Sequence, residues 1–212
     1  VPIPEPVRVG RPARDYPWTW VITPWFEGVA VTELPVARRR QIAGELGAAQ
    51  SPLHVCAAIE APVNPLRGVP LADRAEAFRE QIPRVERGDE LLMVFEEGLA
   101  AQPWEGPEVW VHGDPHPGNL LAQADDRLAA VLDFGDLTAG DPATDLAIAW
   151  LAFDAEGRDA YKAAHYPVDD ATWLRARAWA AGLTSAFLLF SDDNPAMAEI
   201  GRHGLAEVLS GT

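Results

Sequence analysis

Two short motifs on either side of a predicted β-hairpin constrain the fold of this chain more than any other feature of its sequence. The first is His112-Gly-Asp-Pro-His-Pro-Gly-Asn119, and the second is Leu132-Asp-Phe-Gly-Asp136. The segment between Asn119 and Asp133 is centred on Asp126, which lies in a predicted turn. If the flanking runs pair as antiparallel strands, Asn119 and Asp133 become cross-strand neighbours about 5 Å apart at Cα. The sequence therefore predicts an amide oxygen beside a carboxylate at the open end of the hairpin.

These residue types suit a particular chemistry. Mg²⁺ prefers oxygen ligands and usually takes one or two protein groups together with phosphates and water. Asp114 precedes Asn119 on a loop stiffened by Pro115 and Pro117, and it can project into the same site without being a ligand. A carboxylate, an Asn after four intervening residues and a later Asp-Phe-Gly form the arrangement used for phosphoryl transfer. In that reaction the first carboxylate orients the acceptor hydroxyl and takes its proton.

The rest of the chain alternates proline-rich connections with helical periodicity. Apolar residues three or four apart predict helices over 35–49, 71–82, 85–101, 142–153, 171–190 and 195–209. Runs rich in β-branched, aromatic and other apolar residues predict strands over 18–23, 109–112, 119–122 and 128–132. We therefore predict an α+β protein with a mixed start, a short central β-hairpin and helices on both sides of it.

The charge of the chain limits its partners. It has 17 basic and 32 acidic residues and a formal net charge of −15, which argues against nucleic acid or an anionic membrane as a partner. The whole excess lies between Val85 and Asp170, where nineteen acidic residues accompany four basic ones. Two explanations are open: a solvated acidic surface, or a cleft that attracts metal ions or an amine-bearing substrate.

Composition also indicates the compartment. The single cysteine, Cys56, cannot form an internal disulfide. The sequence contains no apolar run that approaches the length of a membrane span, and no basic-then-apolar signal opens it. Arginine is used almost to the exclusion of lysine, which suggests a GC-rich bacterial genome. We therefore expect a cytoplasmic bacterial protein.

The two motifs resemble those of the aminoglycoside phosphotransferase family, which is related to eukaryotic-type protein kinases. The similarity continues in Gly140-Asp-Pro-Ala-Thr-Asp-Leu-Ala147. Val21-Ile-Thr-Pro-Trp-Phe-Glu-Gly28 is similar to the hinge between the two lobes of that family, and Asn64-Pro-Leu-Arg-Gly-Val-Pro-Leu71 is similar to a segment of some bacterial members. The resemblance runs from about Trp18 to the C-terminus.

The resemblance implies a protein-kinase-like fold and a role for each motif residue. Residues 1–28 would be a remnant of the N-terminal lobe sheet plus the hinge, and residues 29–212 the mostly α-helical C-terminal lobe that holds the catalytic and substrate sites. Asp114 would be the catalytic base, and Asn119 and Asp133 would bind Mg²⁺. The carbonyl of Pro24 and the N–H of Phe26 would hold the adenine of ATP.

Five further polar residues near the motifs are expected to support the site. His112 should tie the first motif to the Asp-Phe-Gly segment, and His116 is either structural or supports the site. Asp136 should close the turn after Asp-Phe-Gly rather than touch metal. Asp141, which precedes Pro142, should cap a helix, and Asp145 should anchor the loop.

The beginning of the chain departs from the family. Only Gly10 and Gly28 occur before residue 44, and the only lysine, Lys162, follows the Asp-Phe-Gly motif. The Gly-rich loop and phosphate-binding lysine of the family are therefore missing from this sequence, and we expect it to lack most of the N-terminal lobe.

The predicted function is ATP-dependent transfer of a phosphoryl group to a hydroxyl of a small molecule, with an aminoglycoside or related antibiotic as a candidate. One alternative is a non-catalytic kinase-like module that binds a ligand or partner. Another is a metal-dependent phosphohydrolase built on His112, Asp114 and His116.

Overall fold

Three small antiparallel sheets hold the motifs, and helices surround them. The computed structural model describes residues 1–210. The sheets are formed by β1 (Arg8–Gly10) with β2 (Trp20–Ile22), by β4 (Val109–Val111) with β7 (Thr138–Gly140), and by β3 (Val29–Ala30), β5 (Leu120–Ala122) and β6 (Leu128–Val131) in the order β3-β5-β6. The predicted α+β class, with a central hairpin in a mostly helical protein, is confirmed.

The helices agree with the predicted ones at most positions. They are α1 (Val36–Gln50), α2 (Ala75–Gln81), α3 (Gly88–Ala100), α4 (Ala143–Leu146), α5 (Ile148–Ala152), α6 (Ala155–Ala164), α7 (Asp170–Leu189) and α8 (Pro195–Leu209). The prediction of one helix over 142–153 is wrong, because α4 and α5 divide that segment. The prediction also missed α6, which begins after the N-cap Asp154, whose side chain accepts the Gly157 N–H at 3.0 Å.

The hairpin forms where it was predicted, but its register differs by one residue. Leu121 pairs with Ala130, whereas Ala122 pairs with Leu128, so Ala129 is an extra residue in β6. The turn is centred on Asp125 instead of Asp126, because the Gln123 N–H donates to the carbonyl of Arg127 at 2.8 Å. With the extra residue in β6, the Leu132 N–H then donates to the carbonyl of Asn119 at 2.8 Å. The predicted direct pairing of Asn119 with Asp133 is therefore wrong, because Leu132 is the partner and Asp133 follows it.

The core lies between the long helices. α7 packs against both α3 and α8, and α1 packs against α6. Gly98 allows a close approach of α3 to α7, because a Cβ at that position would collide with the carbonyl oxygen of Leu174 on α7. Trp150 and Trp179 are buried in the core. Among residues 1–210, no helix is long and apolar enough to cross a membrane.

Two histidines, the buried His165 and the partly buried His203, are expected to make the stability of this core dependent on pH. Burial lowers the pKa of His165 to about 4, with the charge of His54 acting in the same direction, and burial also lowers the pKa of His203. Between pH 6.5 and the folded pKa, the unfolded chain binds protons that the folded chain does not.

We therefore expect the unfolding free energy to fall as the pH falls from 7 to 5, by about 2 kcal/mol for His165 alone. Carboxylates whose pKa is lowered in the fold, such as Asp154 and Asp169, lose their contribution only below about pH 4 and do not act in this window. Urea denaturation at the two pH values measures the effect. His165→Gln should reduce the dependence of the unfolding free energy on pH. Equal stability of the unmodified chain at pH 5 and pH 7 would contradict the prediction.

Candidate active site

A buried carboxylate fixes the loop that contains the first motif. Asp145 on α4 is 0% exposed and accepts the backbone N–H groups of His112 at 2.7 Å and Gly113 at 2.9 Å. Asp145 also contacts the His54 ring, whose Nε2 lies 3.0 Å from Oδ2 of Asp145. Burial alone would raise the pKa of Asp145, but the hydrogen bonds and the charge of His54 lower it below its usual value. Asp145 thus remains ionised and holds the start of the loop.

The same loop touches the Asp-Phe-Gly segment directly. Gly113 has a φ of +89°, and a Cβ there would collide with the carbonyl oxygen of Asp136. His112 Nε2 lies 2.8 Å from the carbonyl of Leu132, and its ring packs against Phe134 with the centroids 4.6 Å apart. The close approach at Gly113 and the two contacts of His112 place the motifs side by side.

Asp114 and Asn119 are joined across the loop. The side-chain N–H of Asn119 donates to the backbone carbonyl of Asp114 at 3.0 Å. The Asp114 side chain is 27% exposed, and its Oδ1 accepts from Nη2 of Arg67 at 2.9 Å. The side chain of Asn119 is therefore fixed to the backbone of Asp114, while the Asp114 carboxylate is open to solvent on one side.

Asp133 has an uncommon backbone conformation for a non-glycine residue. Its φ of 59° and ψ of 69° lie in the left-handed region, which asparagine and aspartate tolerate better than most residues. One carboxylate oxygen, Oδ1, accepts the Gly135 N–H at 3.2 Å. This turn redirects the chain after the hairpin and orients the Asp133 side chain.

The charges of these residues act on one buried ring. His116 is 5% exposed, its Nδ1 accepts the Gly118 N–H at 3.0 Å, and its Nε2 lies 3.7 Å from Oδ2 of Asp114. Burial lowers the pKa of His116, while the carboxylates of Asp114 and Asp133 raise it in part. Asp114 and Asp133 are thus both close enough to influence the same imidazole.

Two side-chain oxygens of the motifs accept no hydrogen bond from residues 1–210 and would suit a magnesium ion. Within the part of the chain that the structure describes, Asn119 Oδ1 and Asp133 Oδ2 accept no hydrogen bond. An amide oxygen and a carboxylate oxygen match the ligands that Mg²⁺ takes from proteins. By contrast, no three His, Cys, Asp or Glu residues among 1–210 are grouped so that they could hold a metal. The cluster of His112, Asp114 and His116 that a hydrolase would need is therefore not formed.

Asp136 and Asp141 are engaged in contacts within the protein. Asp136 Oδ1 accepts from the Asn64 side chain at 2.8 Å. Asp141 Oδ1 accepts the N–H of Ala143, the first residue of α4, at 2.9 Å, and its Oδ2 forms a buried ion pair with Arg175 at 2.8 Å. Asp141 thus accepts a backbone N–H at the start of α4 and joins this helix to α7, although the N-cap residue is Pro142 and not Asp141 as predicted.

The predicted hinge lies next to the hairpin. β3 follows the hinge and pairs with β5, so that Val29 lies opposite Ala122. Phe26 lines an open cavity of about 600 Å³ between the hinge and the hairpin. Pro24 is exposed and does not line it, and Trp25 is 87% exposed. Of the two residues expected at adenine, only Phe26 therefore borders this space.

A sequence model of the "Phosphotransferase enzyme family" matches residues 1–179. The chain belongs to this family. No curated protein sequence matches it. Family membership gives the coarse activity: the relatives of this chain are small-molecule phosphotransferases.

Solved structures of other proteins resemble this chain and identify its fold. The GDP and kanamycin complex of APH(2")-IIia is 19% identical, with a TM-score of 0.67, and the match covers 99% of this chain and 76% of that one. The gentamicin-APH(2")-IIa complex is 18% identical, with a TM-score of 0.53 and coverage of 99% and 74%. Macrolide 2'-phosphotransferase MphH from Brachybacterium faecium is 20% identical, with a TM-score of 0.51 and coverage of 96% and 73%. At these identities the likeness establishes a kinase-like phosphotransferase fold.

Much of the acidic excess of this phosphotransferase-family chain is paired with arginines that lie outside the acidic segment. Arg79 pairs with Glu96, and Arg175 with Asp141. The others are Arg38 with Asp126, Arg40 with Asp154 and Glu156, and Arg67 with Asp114. These pairs partly neutralise the acidic segment locally, while the chain as a whole keeps its net charge of −15.

Sequence reasoning missed two residues that contact the site. Arg67 touches Asp114, and His54 touches Asp145. The only sequence signal for Arg67 was its position in the segment Asn64–Leu71, which resembles some bacterial family members. His54 follows the predicted helix over 35–49 after a short proline-containing turn, and no pattern distinguished it.

Proposed function

We propose that this phosphotransferase-family chain transfers the γ-phosphoryl group of ATP to a hydroxyl of a small molecule, with Asp114 as the base. The main supporting observation is the set of contacts that Asp114 makes. Its backbone is bonded to the side chain of Asn119, and its carboxylate lies, like that of Asp133, close enough to His116 to shift the pKa of that ring. These contacts support a site in which a base, two metal-compatible oxygens and an ordered loop act together.

Asp114 can receive the acceptor proton at Oδ2. Oδ1 is occupied by Arg67, whereas Oδ2 accepts no hydrogen bond within the described residues and lies on a partly exposed side chain. A hydroxyl that donates to Oδ2 becomes a better nucleophile as its proton moves to the carboxylate. The backbone hydrogen bonds from His112 and Gly113 to Asp145 keep the loop that holds Asp114 in position.

Asn119 and Asp133 would hold Mg²⁺ through Oδ1 and Oδ2, respectively. When bound, such an ion neutralises the charge of the nucleotide phosphates. We place adenine at the cavity that Phe26 borders, with backbone groups of Pro24 and Phe26 as its partners. This assignment divides the chain into a hinge-containing segment, 1–28, and a catalytic and substrate segment, 29–212.

The names of the structural neighbours indicate which acceptors to test. Two of them are complexes with kanamycin or gentamicin, and a third is a macrolide phosphotransferase. Hydroxylated antibiotics of these two kinds are therefore the first acceptors to test. The net charge of −15 favours the cationic aminoglycosides.

The nucleotide assignment predicts Mg²⁺-dependent binding of ATP by the full chain. Calorimetry should show binding of Mg-ATP that weakens at least about tenfold in Asp133→Asn, since a charged ligand of the ion is lost. Asp126→Asn is the matched control, because Asp126 also has a positive φ, 66°, but lies at the other end of the hairpin. Equal weakening in both variants, or no binding by the unmodified chain, would contradict the assignment.

A non-catalytic nucleotide-binding module is the second candidate. It is favoured by the position of the single lysine, because Lys162 Nζ lies 5.4 Å from the ring of Trp150 and 5.1 Å from that of Trp173 on helices away from the motifs. Transfer of radiolabel from γ-labelled ATP to kanamycin, gentamicin or erythromycin separates the two candidates. Binding of Mg-ATP without transfer or hydrolysis would favour the second.

A further inference from the structure

The loop that contains Arg67 is fixed against both motifs. Asn64 Oδ1 accepts the N–H groups of Leu66 at 2.9 Å and Arg67 at 3.2 Å. The Asn64 N–H donates to Thr138 Oγ1 at 3.0 Å, and the Gly68 carbonyl accepts the Asp141 N–H at 2.8 Å. Both ends of this short loop are therefore bonded to the segment after Asp-Phe-Gly, and the Arg67 backbone is held in place.

The Arg67 guanidinium lies between two carboxylates and has unused donors. Its Nη2 is 2.9 Å from Oδ1 of Asp114, and its Nε is 3.7 Å from Oδ2 of Asp136. The latter distance is too long for a hydrogen bond, and Nε is buried without a hydrogen-bond partner in the described part of the chain. A guanidinium has five N–H donors, of which a single one is hydrogen-bonded within residues 1–210. A buried cationic donor without an acceptor is costly, and an anionic oxygen would satisfy it.

The proposed reaction would bring anionic phosphoryl oxygens close to the Arg67 guanidinium. An acceptor hydroxyl that gives its proton to Asp114 must lie within hydrogen-bond distance of that carboxylate. The phosphorus atom that this hydroxyl attacks is bonded to three further oxygens, over which the charge of the transition state is spread. A guanidinium 2.9 Å from the same carboxylate can reach one or two of them, and its planar fork suits paired phosphoryl oxygens.

We propose that Arg67 is a further catalytic residue, whose free N–H groups bind the phosphoryl group during transfer. This inference rests on the proposed function. In the step, the acceptor O–H bond breaks and its proton goes to Asp114 Oδ2. The acceptor oxygen forms a bond to the γ-phosphorus, and the bond from that phosphorus to the β-bridging oxygen breaks with its electron pair leaving on ADP. Arg67 keeps all of its protons and remains bonded to Asp114 Oδ1.

The test uses a mimic of the transferring phosphoryl group, so that no acceptor is required. Binding of Mg-ADP to the full chain is measured by calorimetry with and without fluoroaluminate. Fluoroaluminate should tighten the binding of Mg-ADP to the unmodified chain. Arg67→Lys and Arg67→Met should lose roughly tenfold to a hundredfold of that enhancement, because a charge-assisted contact is removed, while their affinity for Mg-ADP alone changes by less than about twofold. Arg79→Met, which removes an exposed arginine paired with Glu96, is the matched control and should retain the enhancement.

Each other outcome overturns the inference in a distinguishable way. Failure of the unmodified chain to bind Mg-ADP would overturn the proposed function and this inference with it. Two other results would overturn the inference alone. In the first, the unmodified chain binds Mg-ADP but fluoroaluminate does not tighten that binding; in the second, fluoroaluminate tightens it as much in both Arg67 variants as in the unmodified chain. Asp114→Asn tests whether Arg67 acts only by positioning Asp114. The enhancement should persist in that variant, and its loss there would contradict direct contact between Arg67 and the phosphoryl group.

Discussion

Asp114→Asn should lower phosphoryl transfer by about 10²- to 10⁴-fold, the range that a positioned general base contributes. The replacement has the same shape but cannot take the acceptor proton. The link to Asn119 is retained, because it uses the backbone carbonyl of Asp114. Transfer of label from γ-labelled ATP to an acceptor identified by the antibiotic screen measures the effect.

The fold of this variant should be nearly unchanged. The ion pair with Arg67 is partly exposed, with side-chain exposures of 22% and 27%, and pairs of this kind contribute at most about 1 kcal/mol. Asp125→Asn, in the exposed turn of the hairpin, is the control for the removal of one negative charge. Undiminished transfer by Asp114→Asn, or an equal loss in both variants, would remove Asp114 from the role of base.

Asp145→Ala should give the largest loss of stability, about 3–5 kcal/mol in the free energy of unfolding. The side chain is fully buried, and its removal leaves the N–H groups of His112 and Gly113 without acceptors. His54 also loses its carboxylate partner. Urea denaturation at pH 7 measures the loss, and Asp145→Asn, which keeps one acceptor oxygen, should fall between it and the unmodified chain.

The control for this variant is Asp159→Ala on α6, which removes an exposed aspartate and should change stability by less than about 0.5 kcal/mol. If Asp145→Ala lost no more than this control, Asp145 could not be the anchor of the loop. A variant that remains folded but binds fluoroaluminate and Mg-ADP poorly would show instead that the anchor positions the loop without supporting the core.

Local signals predicted most of the helices. α8 begins at Pro195 after Asn194, whose side chain accepts the Met197 N–H at 3.3 Å, and a cap followed by proline is visible in sequence. α6 was missed because its ten residues are mostly small or charged, and Tyr161 is the one large apolar residue at its buried positions. The register of the hairpin could not be predicted, because neither the position of the turn centre, at Asp125 instead of Asp126, nor the extra residue in β6 leaves a mark in the pattern of apolar residues.

In the candidate site, too, contacts between residues close in sequence could be predicted, whereas contacts between distant residues could not. Asp114 and Asn119 share one loop, so their spacing alone indicates that they lie together. Arg67 is 47 residues from Asp114, and His54 is 91 residues from Asp145. Those contacts depend on the path of the proline-rich segment past the two motifs, which neither periodicity nor capping determines. A tertiary structure was needed to place a cation at the proposed base.

The two environments of the tryptophans have a spectroscopic consequence. Trp25, at the hinge, is almost fully in water, whereas Trp179 and Trp150 are enclosed in the helical core. Indole emission shifts to shorter wavelength in apolar surroundings, so the fluorescence of this protein contains a red component from exposed tryptophans, which include Trp18 and Trp20 as well as Trp25, and a blue component from the core. Quenching by iodide should select the first, and the second should respond to melting of the helices, so that solvent exposure and unfolding can be followed in one cuvette without a label.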